Sequence, residues 1–347
     1  MCGKKIYRWY KEYLSGFRDK ETQEKLHQYD LEDRDIIDRK TGKLKTVLVP
    51  IFKPQNFGKN MCMDDKNVGG RGYLIFSNTD TKKIALMIET TKLKLVKKVI
   101  HKLPVAIQFG VETMTRDLGS GYYWFCKEVF PRLREQIADK FHIIKDALGS
   151  LQDIRVRYRQ SELRKKRLAY EKHKKEELKR KEECQKAKKT FIRQKFKYPE
   201  EKFSNGETLL QILAKSRYLL FKFPHQWYFG QEERAKILFN KFPEIERAYK
   251  LICSFRSFYA IKIGNRKKAT SSLQAWFGKV QSEDIEEISN FSSMVERHYE
   301  EIMNYFNEGR TNAYAEGLNS QIEKFINSNS GTRDRDFFHF RTAIYFS

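Results

Sequence analysis

Apolar positions between residues 46 and 142 come in short runs broken by turn formers. Val47–Phe52 is a short apolar run containing a proline, and Asn60–Met63 leads into Asp64 and Asp65. After Gly69, Gly70 and Gly72, Tyr73–Phe76 reads as a strand; Asn78-Thr79-Asp80 is a turn signal, and Lys83–Glu89 is a further strand. Such runs with short connections predict antiparallel hairpins. Thr90–Leu103 carries helical spacing through Leu93, Val96, Val99 and Ile100. Val105, Ile107, Phe109 and Val111 then alternate, which predicts a strand over Val105–Met114 followed by Thr115, Arg116 and Asp117. Gly121–Val129 reads as a helix and Ile137–Asp139 as a short strand.

The remainder is helical. Residues 1–45 are polar, with Ile6, Trp9, Tyr10 and Tyr13 at helical spacing and a turn at Thr41-Gly42-Lys43. Ile143 to about Lys197 is a charge-laden helical stretch ended by the polar break Tyr198–Glu207. Residues 208–306 read as a helical bundle interrupted at Phe223-Pro224-His225 and Phe242-Pro243, and Asn312–Phe325 as a late helix containing Glu316. Strand, strand, strand, helix, strand, helix, strand is the order of an RNase H-like fold. The expectation is therefore an α/β protein: a mixed sheet flanked by helices, interrupted by a large all-helical insertion before the last helix. The predicted divisions are an N-terminal helical segment 1–45, a first sheet part 46–142, a helical insertion 143–306 with a basic arm 155–200, and a closing part 307–347.

Composition narrows the partner. The 347 residues include 69 Lys and Arg against 45 Asp and Glu, a formal net charge of +24. An excess of this size points to a polyanion. Between Ser161 and Glu200, 16 basic and 7 acidic residues give +9, the pattern of a solvated helix or of an arm that tracks nucleic acid. No apolar run approaches the roughly 18 residues of a membrane span, which moves a membrane partner behind DNA or RNA. No apolar signal region follows the first residues. Five scattered cysteines without a C-x-x-C pair argue against structural zinc and for reduced thiols in the cytoplasm.

The acids supply the candidate chemistry. Hard divalent cations take oxygen ligands and leave room for phosphates, and a two-metal phosphoryl-transfer site needs carboxylates converging from separate elements. Asp64 or Asp65 on an early strand, Asp117 past a later one and Glu316 on a late helix come in the order such a sheet requires. Each has a plainer reading: a turn for Asp64 and Asp65, a helix N-cap for Asp117, a surface helix position for Glu316.

Met63-Asp64-Asp65, Thr115-Arg116-Asp117 with Tyr122 or Tyr123, Asp139-Lys140-Phe141-His142, and Asn312-Ala313-Tyr314-Ala315-Glu316-Gly317-Leu318-Asn319, in this order, resemble bacterial insertion-sequence transposases of the DDE type, in particular the ISL-three group. The resemblance covers roughly residues 60–341 and includes Ser216–Leu220, Gln231–Ala235 and Pro243–Tyr249 in the helical region. It implies catalytic, metal-holding acids at Asp64, Asp117 and Glu316, with Asp65, Asp139, His142, Asn312 and Asn319 beside them. It implies two Mg²⁺ or Mn²⁺ ions, double-stranded DNA as partner, a homodimer that joins two element ends, and bacterial nucleoid association. This chain has Asp64-Asp65 where the family usually has Asp-Glu, and Ile322-Glu323-Lys324 where an Ile-Lys pair is usual. DNA-end recognition by a separate polypeptide is a further expectation, as is DNA contact through Lys140, Lys145, Arg217 and Trp227. A repurposed DNA-binding remnant and an RNase H-like nuclease without strand transfer remain as alternatives.

Overall fold

The computed structural model describes residues 3–26, 31–37, 42–68, 70–307, 317, 320–321, 324–325 and 334–346. The chain divides into two units. One comprises Met1–His142, Ile263–Arg266 and His298–Ser347, the other Ile143–Lys262 and Lys267–Arg297.

The first unit opens with α1 (Gly3–Trp9), a π-helical turn (Tyr10–Leu14) and α2 (Lys20–Leu26). The ladder of β1 (Leu31–Ile37) and β2 (Leu44–Val47) follows, two strands that the polar composition of residues 1–45 did not announce. The main sheet contains β3 (Ile51–Phe52), β4 (Asn60–Val68), β5 (Arg71–Asn78), β6 (Lys83–Ile88), β7 (Thr113–Arg116) and β8 (Glu135–Ala138), in the order β3-β6-β5-β4-β7-β8. From β3 to β4 neighbours are antiparallel; β4, β7 and β8 run parallel. This six-stranded mixed sheet with flanking helices is consistent with the RNase H-like expectation.

Both faces of the sheet are covered, which is why its central strands read as continuous apolar runs. On one face Met61, Met63, Leu74 and Phe76 pack with Val96, Val99 and Ile100 of α3 (Leu93–Ile100). On the other, Tyr73, Ile75 and Met87 pack with Phe338 of the C-terminal helix Arg335–Phe346. Full burial of a side chain such as Phe76 is worth about 1.5–3 kcal/mol, and strand alternation places one such residue on each face at successive positions. The β4–β5 hairpin closes at Gly70, whose φ of +79° suits glycine and whose N–H donates to Asn67 Oδ1 at 3.1 Å.

The alternation at Val105–Phe109 is not a strand. Val105–Gly110 forms α4, and only Thr113–Arg116 enters the sheet. Pro104 sets the first turn, its carbonyl accepting from Ile107 and Gln108. Burial does not follow the alternation: Val105 is 67% exposed, whereas Gln108 is buried and donates its side-chain amide to Leu103 O. A further helix, α5 (Ser120–Val129), buries Phe125, Cys126 and Val129 against the same face as α3.

The helical unit takes most of α6 (Lys140–Lys186). Ile143, Ala147, Leu151 and Ile154 recur on one buried face, but from Val156 to Lys186 no residue is buried. Here the helix carries Lys and Arg instead of a core stripe, as the charge pattern predicts. The bundle contains α7 (Leu209–Lys215), α8 (Phe229–Lys241), α9 (Pro243–Phe258), α10 (Arg266–Glu283) and α11 (Glu286–Arg297). Pro243 starts α9 at a position where no backbone donor is needed. Phe255, Trp276 and Phe291 meet at the bundle's centre, with Phe255 4.8 Å from Trp276 and 5.0 Å edge-on to Phe291. The chain re-enters the first unit with α12 (Tyr299–Met303) and a 3-10 turn, Asn304–Phe306.

Candidate active site

Three aspartates occupy one row across the parallel strands, Asp64 inside β4 and Asp117 and Asp139 just past the ends of β7 and β8. Met63 pairs with Arg116, and Arg116 with Ala138. The next residues are Asp64, Asp117 and Asp139, and the Asp139 N–H still donates to Arg116 O at 2.9 Å. Neighbouring strands lie about 4.8 Å apart, so Asp64 and Asp117 are adjacent and Asp139 is one strand further.

Their surroundings differ. Asp64 lies within β4 and is 5% exposed. Lys66, two residues on and so on the same strand face, brings Nζ to 2.9 Å from Asp64 Oδ2. The contact is an ion pair, and neither Asp64 oxygen has another partner. Burial pushes the Asp64 carboxyl above the usual carboxylate range, opposed by Lys66 and His142 and reinforced by Asp139. Asp117 is partly exposed; its Oδ1 accepts from Leu118 N at 2.6 Å, and its Oδ2 lies 4.0 Å from His142 Nε2. Asp139 caps α6, with Oδ1 accepting from Phe141 N at 2.9 Å and Oδ2 3.0 Å from His142 Nδ1. The bond to Asp139 raises the His142 pKa, burial opposes it, and Asp117 and Asp64 add to the rise. Asp65 is exposed, on the strand face opposite Asp64. Tyr122 is pushed up to about 12, first by burial and then by Asp65, Asp117 and Asp64.

Asp64, Asp117, Asp139 and His142 are thus brought together. Glu316, Asn312 and Asn319 lie outside the described residues. Lys140 packs on Tyr305, 5.6 Å from the ring centroid. Lys145 and Arg217 are exposed in the helical unit, Arg217 with its guanidinium 5.5 Å from the Tyr218 ring. Trp227 stacks on Tyr249 at 5.5 Å and donates Nε1–H to Leu219 O at 2.8 Å, so its indole is held by packing within its own unit. Exposed aromatic rings in that unit belong to Tyr170, Tyr218, Tyr228 and Phe229. The sequence reading missed Lys66, whose i+2 spacing from Asp64 was available as a signal.

A buried carboxylate with unsatisfied oxygens, beside a second carboxylate in register, is a donor set suited to a hard divalent cation. Among the described residues, no three His, Cys, Asp or Glu side chains form a metal-holding group by themselves. A family model of DDE transposases, the ISL3 type, described as transposase, matches residues 61–342. The chain belongs to this transposase family. As a transposase it is a DNA-processing enzyme of insertion-sequence transposition and recombination, and DNA is its partner. DDE transposases generally use divalent metals. No curated protein and no solved structure matches the chain. Among the described residues, no helix is long and apolar enough to cross a membrane.

Proposed function

We propose that this transposase cleaves the ends of its element and joins them to target DNA at a site held by Asp64, Asp117 and Glu316. The observation that carries this reading is the strand register that sets Asp117, just past β7, beside Asp64 in β4, whose buried carboxylate oxygens have no hydrogen-bond partner. The three acids would hold two Mg²⁺ or Mn²⁺ ions, which, when bound, supply Lewis-acid activation of the attacking and leaving oxygens. Lys66 partly offsets the charge of Asp64, and His142 stands between Asp139 and Asp117, whose carboxylates favour its protonated form. In the first reaction water attacks the phosphodiester at the element end, the P–O bond to the leaving oxygen breaks, and a 3′-hydroxyl is freed. That hydroxyl then attacks a target phosphodiester in line and displaces another 3′-oxygen. The first step exchanges the ester bond for a bond to water's oxygen, whose proton passes to the leaving 3′-oxygen, and the second exchanges one phosphodiester for another, so no covalent enzyme intermediate or external energy source is needed.

The helices of residues 143–306 are, in this proposal, an insertion between the sheet and the element bearing Glu316, and residues 155–200 are an arm along DNA. Lys140, Lys145 and Arg217 contribute to the phosphate-neutralising surface, and a homodimer brings two ends together. Recognition of the element ends is shared with a separate polypeptide, and the enzyme works on the bacterial nucleoid. The test is Mg²⁺-dependent cleavage and joining of the element's own terminal repeats to a plasmid. The parent should yield joined product and Asp117→Ala none. Nicks without joining would indicate a nuclease; full activity of Asp117→Ala would overturn the site.

A further inference from the structure

Arg116 is 1% exposed, the largest of the fully buried side chains among the described residues, and it immediately precedes Asp117. All three of its nitrogens are engaged. Nε donates to Gln136 Oε1, Nη1 to the main-chain oxygen of Asp117 at 2.8 Å, and Nη2 to Glu301 Oε2. The guanidinium also lies 5.4 Å from the Tyr123 ring centroid. Its partners are fixed in turn. Gln136 donates Nε2–H to Tyr123 O at 3.0 Å, and the other Glu301 oxygen is 3.0 Å from His298 Nδ1. Asn304 donates Nδ2–H to Gln136 O at 3.0 Å, and Arg266 Nη1 donates to Asn304 and Asn307, each at 3.0 Å. The segment 298–307 is therefore held to β8 and to the end of β7 by polar bonds, and Asn307 stands nine positions before Glu316 in the chain.

A buried ion pair of this kind is a poor device for stability, because well-packed apolar residues of similar volume often serve as well or better. Its geometry serves position. The planar fork of arginine reaches Gln136, the Asp117 carbonyl and Glu301 at once, which a lysine cannot do. The Asp117 main chain is thereby fixed from the buried side while Leu118 N orients its carboxylate on the other.

We propose that Arg116 and Glu301 are positioning residues for Asp117, a buried clamp that sets the aspartate's backbone at the strand end and ties it to the returning segment 298–307. The inference rests on the reading of Asp117 as a cation ligand. Outer partners of metal ligands typically change metal affinity about 10–100-fold when mutated.

The test is Mn²⁺ binding by the full-length chain, followed by the loss of the free-ion electron paramagnetic resonance signal, with thermal melting run in parallel. The double variant Arg116→Met/Glu301→Leu should remain folded and bind Mn²⁺ at least about tenfold more weakly. Arg116→Lys should recover part of that loss. If the double variant does not fold, Glu301→Gln, which retains shape and one acceptor, should show the weakened binding with its melting transition intact. A purely structural role would move the melting temperature and leave the affinity of the folded protein unchanged. Parental affinity in a folded double variant, or in folded Glu301→Gln, would overturn the clamp. Equal Mn²⁺ binding by the parent and Asp117→Asn would overturn the cation role of Asp117 itself, and the clamp with it; a deficit in Asp117→Asn alone would leave the first reading standing and the clamp refuted.

Discussion

Asp64 in the sheet unit is 5% exposed and Glu207 in the helical unit 8%, yet the charges around them are arranged to opposite effect. Glu207 is gripped by the Arg234 fork at 2.7 and 2.8 Å, with Lys215 at 2.8 Å and Asn205 at 3.0 Å. Arg234 above all, and then Lys215, hold its carboxyl down at about 2 against the opposing effect of burial. Asp64 has the Lys66 ammonium alone in ion-pair contact, and burial carries its pKa upward. One carboxylate belongs to the scaffold, with its oxygens already satisfied. The other keeps unmet oxygens in a buried row, an arrangement that costs stability and suits a cation supplied from outside.

The largest effect expected from breaking this contrast is on chemistry. Asp117→Ala should lower cleavage of element ends by about 10³-fold or more, the equivalent of roughly 4 kcal/mol of transition-state stabilisation, with little change in the far-ultraviolet circular dichroism. Next comes the scaffold carboxylate. Glu207→Gln should cost about 2 kcal/mol in denaturant unfolding while leaving cleavage per folded molecule at the parental level. Because its folded pKa is depressed, the stability Glu207 contributes is present above the ordinary value of 4.5 and is lost as pH falls toward about 2. The parent and Glu207→Gln should therefore converge in acid.

Asp64 predicts the opposite sign. Its folded pKa is raised, so in the metal-free protein stability falls as pH climbs from the ordinary 3.8 toward the folded value. Asp64→Asn should accordingly stabilise the metal-free protein at neutral pH, by about 1 kcal/mol, while abolishing cleavage. A smaller effect belongs to the arm. Replacing Lys172, Lys174, Lys175 and Lys179 with Gln should reduce the slope of log affinity for DNA against log salt by about 0.9 for each DNA phosphate that is no longer neutralised, with the melting temperature unchanged. An unaltered slope would remove the arm from the DNA interface.

The two carboxylates also show how far the sequence could be read. Asp64, Asp117 and Asp139 were legible because strands and their order leave a local trace, and the register then set them in one row. The β4–β5–β6 hairpins were legible for the same reason: period, turn residues and apolar runs agree. Val105–Met114 misled because alternation alone does not separate a strand from a helix started by Pro104, and the buried member turned out to be Gln108. Glu207 with Arg234, and Arg116 with Glu301, left no trace, since each pair joins residues far apart in the chain and a single sequence does not encode which distant charge is near. Trp227 stood out by residue type, but its stacking on Tyr249 depends on how α8 and α9 pack.

The central claim, that the unmet Asp64 carboxylate and its neighbour Asp117 form a cation site, is tested most directly by melting the full-length protein across a Mn²⁺ titration. Binding to the folded state alone raises stability in proportion to the logarithm of the free ion. The parent should melt at steadily higher temperature as Mn²⁺ is added, and Asp64→Asn should start higher and respond weakly. Equal responses from parent and variant, or no response from the parent, would contradict it.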